Sequence, residues 1–96
     1  MENFDLHYYG SLDSIEESCY NFQEYKVSGF DIFIQCSGRF GDVAPNLAIE
    51  NPALFVKEGD MYQRYVIEGA TVSTDKNGCL AIDEAMLSEI CKKLQG

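Results

Sequence analysis

The chain has 96 residues, enough for one domain spanning 1–96 and too few for two. A content of 46% hydrophobic and 12% aromatic residues excludes a disordered chain, and no stretch approaches the roughly 18 apolar residues of a membrane span. Sixteen Asp and Glu against seven Lys and Arg give a net charge of −9, which disfavours direct binding to nucleic acid or anionic membrane and favours a basic protein partner.

Phe4, Leu6 and Tyr8 alternate with Asp5, His7 and Tyr9, which predicts a half-buried first strand ending at Gly10. Leu12, Ile15, Cys19 and Phe22 then recur at three- and four-residue steps. Ser11 and Ser14 are N-cap candidates, and Ser14 with Glu17 has capping-box spacing, so a helix is predicted here. Asp13, Glu17, Tyr20 and Glu24 fall on a different stripe of that helix and would show an acidic, aromatic face to solvent. Phe30, Ile32, Ile34 and Cys36 occupy alternate positions and predict a central strand. From Ser37 to Pro52 the periodicity is lost and Gly38, Gly41, Pro45 and Pro52 accumulate, which predicts a long connection with room for one helical turn around Asn46 to Ile49.

Ala53 to Lys57 and Met61 to Glu68 flank Glu58-Gly59-Asp60 as a hairpin. Ala70 to Thr74 and Cys79 to Ile82 flank Asp75-Lys76-Asn77-Gly78 as a second hairpin. Asp83 caps a closing helix whose buried stripe is Met86, Leu87, Ile90, Cys91 and Leu94, with Lys92 and Lys93 at its negative end. The predicted class is therefore α+β: an antiparallel sheet of four to six strands with two helices packed on one face, in the order β-α-β-loop-β-β-β-β-α.

Little in the chain points to chemistry. The four cysteines, Cys19, Cys36, Cys79 and Cys91, include no C-x-x-C pair and read as free thiols in a reducing compartment. Met-Glu-Asn-Phe-Asp at the start carries no basic segment ahead of an apolar run, so the expected location is cytoplasmic. His7 is the only histidine and has no acid-base partner written beside it. Cys36 is followed by Ser37-Gly38-Arg39, but a phosphate-binding cysteine loop needs its arginine six positions on, where Asp42 stands. Gly38-Arg39-Phe40-Gly41 has the letters of a nucleic-acid clamp loop yet follows a strand, which leaves Arg39 and Phe40 as an exposed pair able to anchor a partner. No phosphate-loop, zinc-protease or nucleophile-elbow motif is present. An enzyme is not expected, nor are catalytic residues, metal ligands or cofactors.

The strongest asymmetry is in residues 1–25, which hold Glu2, Asp5, Asp13, Glu16, Glu17 and Glu24 and no Lys or Arg. Tyr8, Tyr9, Tyr20 and Tyr25 are interleaved with those acids, a mixture of flat contact area and carboxylates that suits a basic, nucleic-acid-binding groove. In composition the chain resembles two classes of short acidic proteins: anti-CRISPR inhibitors and immunity proteins that neutralise nuclease toxins. That resemblance implies an acidic inhibitor of a nucleic-acid-processing complex or a toxin, acting as a monomer or homodimer and occluding its partner with carboxylates in place of phosphates. The expected partner-binding residues are Asp13, Glu16, Glu17, Tyr20, Glu24, Arg39 and Phe40. The alternative is a sensor domain that binds a small molecule or phosphate through the Ser37 to Pro52 loop.

Overall fold

The computed structural model of the chain describes residues 4–12, 21–36 and 46–96. Its elements in order are β1 (Asp5–Leu12), β2 (Asn21–Val27), β3 (Phe30–Cys36), β4 (Ala48–Glu50), β5 (Ala53–Glu58), β6 (Met61–Glu68), β7 (Thr71–Ser73) and α1 (Glu84–Gln95). Five strands form one sheet in the order β1-β6-β5-β3-β2, and β4 pairs with β7 in a two-stranded sheet. Every pairing between these strands is antiparallel.

Local chemistry sets the two tight hairpins. Val27 pairs with Phe30 across Ser28 and Gly29, whose φ values of 52° and 85° are both positive, as a type I′ turn requires. Glu58 pairs with Met61 across Gly59 and Asp60, and Gly59 supplies the positive φ of 61°. α1 begins as its sequence indicates: the Asp83 carboxylate accepts the Met86 backbone N–H at 2.8 Å, and Lys92 and Lys93 lie in the last turn.

Side-chain alternation divides the main sheet into two faces. On one, Ile32 and Ile34 of β3, Leu54 and Val56 of β5 and Ile67 of β6 are buried beneath α1, which contributes Leu87, Ile90 and Cys91. Val72, Leu80 and Ile82 close the same core. The other face carries Phe22, Phe33, Phe55 and Tyr62. There Phe22 meets Phe55 and Phe33 meets Tyr62 edge to face, with ring centroids 5.5 Å and 5.2 Å apart.

Three expectations need correction. The described residues hold one helix, not two. Ser11 and Leu12 belong to β1, and Phe22 and Glu24 belong to β2, so the helical stripe from Leu12 to Phe22 does not form as written; Ile15 and Cys19 lie outside the described residues. Pairing decides this: Asn21–Val27 is followed at once by a two-residue turn and a strong strand, so its backbone groups find a ladder over seven residues. Second, Ala48–Glu50 is a strand, not a helical turn, because Ile49 packs on the core opposite Val72. β7 pairs with β4, and the expected second hairpin is present in short form: an antiparallel bridge joins Thr74 to Leu80, with the Asp75 N–H donating to the Cys79 carbonyl and the Ala81 N–H to the Ser73 carbonyl. Third, Cys79 is disulfide-bonded, whereas Cys91 is a buried free thiol, so the cysteines are not four free thiols and lend no support to a reducing compartment.

Candidate partner-binding surface

Of the residues expected to bind a partner, Asp13, Glu16, Glu17, Tyr20, Arg39 and Phe40 lie outside the described residues. Glu24 is exposed, but it stands on a strand, on the face opposite α1, with its carboxylate 3.8 Å from the Lys26 ammonium. The acidic helix face is thus not the arrangement that presents it.

What the structure does bring together lies at the far edge of the sheet. Among the described residues β1 is an edge strand, paired only with β6, and its register shifts between Tyr8 and Gly10, leaving Tyr9 as the extra residue of a bulge. Tyr8 and Tyr9 are 56% and 57% exposed, the highest values among the large hydrophobic side chains described. They leave the strand in opposite directions. Tyr8 packs edge-on against Tyr65, on the face that α1 covers, with centroids 5.5 Å apart. Tyr9 lies on the other face, where its hydroxyl donates to Glu68 Oε1 at 3.0 Å and the Arg64 guanidinium sits 5.8 Å from its ring centre. That hydrogen bond, followed by the charge of Glu68, raises the Tyr9 pKa above its ordinary value of 10.0, because the neutral phenol is the form that donates.

Next to the tyrosines, Asp5 of β1 stands directly opposite Glu68 of β6, so both carboxylates project from one face. Among the described residues neither enters an ion pair. With Phe4, His7 and Gly69 they line an open cleft of about 320 Å³. His7 therefore shares a cleft with Asp5, which strand alternation puts on its own face, and with Glu68, which sequence spacing could not place beside it. No three His, Cys, Asp or Glu side chains among the described residues are grouped to hold a metal ion.

Tyr8 and Tyr9 had a signal in the sequence. Two consecutive aromatics inside a period-two strand must point to opposite faces, and on an edge strand both cannot reach the core. Glu68 and Arg64 had none, because their neighbours lie on β1, more than fifty positions earlier in the chain.

Among the described residues no helix is long and apolar enough to cross a membrane. No protein-family model matches this chain, and neither does any curated protein or solved structure with which it was compared.

Proposed function

We propose that this protein is an acidic binding protein that occupies a basic, nucleic-acid-binding surface of another protein and so inhibits it. An anti-CRISPR-like inhibitor is the narrower form of the reading, and immunity to a nuclease toxin is its alternative. The observation that carries it is the exposed Tyr8 and Tyr9 pair on an edge strand beside Asp5 and Glu68, in a chain of net charge −9. Tyrosines offer rigid contact area at low entropic cost, carboxylates that enter no ion pair among the described residues stand where phosphates would, and the net charge speeds encounter with a basic surface. Asp13, Glu16, Glu17 and Tyr20 follow β1 in sequence with the same chemistry. The sensor alternative rests on a loop that lies largely outside the described residues, and no observation favours it.

The test is displacement. A partner recovered with the full chain is loaded with fluorescent nucleic acid, and the protein is titrated in while anisotropy is followed. Release of the nucleic acid, weakened by salt and by Tyr9→Ala, is the expected result. A partner that keeps its nucleic acid while the protein is bound, or binding that ignores salt, overturns the reading.

A further inference from the structure

We infer that the free edge of β1 receives an extended segment of the basic partner as an added strand, one that alternates basic and apolar residues. This rests on the reading above and specifies its partner. An edge strand presents a row of unpaired backbone N–H and C=O groups, and β1 and β2 are the two edges of the main sheet. They are guarded unequally. β2 carries Lys26, held between Glu24 and Asp31, and the Cys91 thiol of α1 reaches its Val27 carbonyl at 3.5 Å. β1 has no Lys or Arg, and Asp5, His7, Tyr8 and Tyr9 are all exposed along it.

Charge selects the occupant. A second copy of this chain would set a molecule of charge −9 against its like, with the carboxylates of two β1 strands brought together. A basic segment meets the opposite situation. Side chains of an added strand alternate between the faces: those on the side of Asp5 and His7 come against the Asp5 and Glu68 carboxylates and the cleft beside them, where Arg or Lys fits. Those on the other side run along Leu6 and Tyr8, where apolar residues fit. The bulge at Tyr9 confines regular pairing to Asp5–Tyr8, the stretch that borders the cleft, and leaves the Tyr9 ring beside the end of the incoming strand.

The test uses the isotope-labelled full chain and three short peptides of equal charge. One alternates arginine and valine, the second is the same peptide N-methylated at every residue, and the third is a flexible arginine-glycine-serine chain. The alternating peptide is expected to shift the amide resonances of Asp5–Tyr8. N-methylation, or the double variant Asp5→Asn with Glu68→Gln, should weaken binding about tenfold or more, whereas Glu58→Gln with Asp60→Asn at the β5–β6 turn leaves it unchanged. Equal binding of the N-methylated peptide, or shifts centred away from β1, overturns the proposal. If the flexible peptide binds at Asp5 and Glu68 as tightly as the alternating one, strand addition fails and the basic-partner reading stands. If none of the three binds, both fall.

Discussion

Asp5 and Glu68 face each other across the β1–β6 ladder, two carboxylates where a cross-strand pair of opposite charge would stabilise the sheet. Like charges at directly opposed positions are unfavourable by roughly 0.2–1 kcal/mol. Asp5→Asn, which leaves Glu68 free to accept from Tyr9, is therefore expected to raise the midpoint of urea unfolding without changing its slope. A lower midpoint would mean that Asp5 serves the fold and not a partner.

The β2–β3 turn supplies a sharper test of local structure. Gly29 sits at φ 85°, and the Cβ of an alanine would meet no atom within 4 Å there, so the effect of Gly29→Ala is one of backbone strain and not of crowding. The expected loss is about 1–2 kcal/mol. Ser28→Gly, at φ 52°, relieves the same strain at the neighbouring position and should stabilise. Thermal unfolding of both variants reads the signs, and two losses would rule out this turn.

That turn also decides between two periods that compete in the sequence before it. Strand β3, the β5–β6 hairpin and α1 were legible because each has one dominant period and its own punctuation: alternation at Ile32 and Ile34, Gly59 between two runs, Asp83 ahead of an apolar stripe. Asn21–Val27 satisfies two periods at once. Phe22 ends a three- and four-residue series that begins at Leu12, while Tyr25 and Val27 alternate with Glu24 and Lys26. Ser28-Gly29, read as a two-residue turn, decides for the strand, because it fixes Val27 opposite Phe30. β4 was hidden for a different reason: its partner β7 is more than twenty positions away, and three residues carry no periodicity of their own. The surface at Asp5, Tyr9 and Glu68 depends on the same kind of long-range register, and only the tyrosines announced themselves.

In the core, Leu54 is fully buried near the start of β5, the central strand of the main sheet, between β3 and β6 and beneath α1. Leu54→Ala removes its packing and leaves a cavity, at an expected cost of about 2–5 kcal/mol, measured by chemical denaturation. Leu47 is 49% exposed, and its replacement by Ala should fall within about 0.5 kcal/mol of the parent.

The cysteines make a prediction that is simple to count. Cys79 is disulfide-bonded, so a thiol reagent applied to the denatured, unreduced chain should find fewer than the four groups that it finds after reduction. Without denaturant, Cys91 should react slowly: it is 2% exposed, and burial raises its pKa above the ordinary 9.0, which keeps the reactive thiolate scarce. Four groups in the unreduced chain would show that Cys79 is free.

Alkaline pH should unfold the protein by a route that can be traced to named groups. Tyr9 is raised above 10.0 by its hydrogen bond to Glu68, and Tyr25 and Tyr65 are raised chiefly by burial. In each case the folded state favours the protonated phenol, so the unfolded chain releases its proton at lower pH than the folded one. The stabilising contribution is complete below the unfolded value near 10.0 and is lost as pH rises through the higher folded values. Stability should accordingly decline above about pH 10, and tyrosinate absorbance should lag behind that of the denatured chain. Glu68→Gln separates the contributions. With a neutral amide in place of the carboxylate, Tyr9 loses the neighbouring negative charge and keeps only an uncharged, weaker acceptor, so its ionisation should move back toward 10.0. Tyr25 and Tyr65 should keep their elevated values, because burial, not Glu68, holds them there. A variant in which all three move together would show that Glu68 acts on the fold as a whole and not on Tyr9 alone.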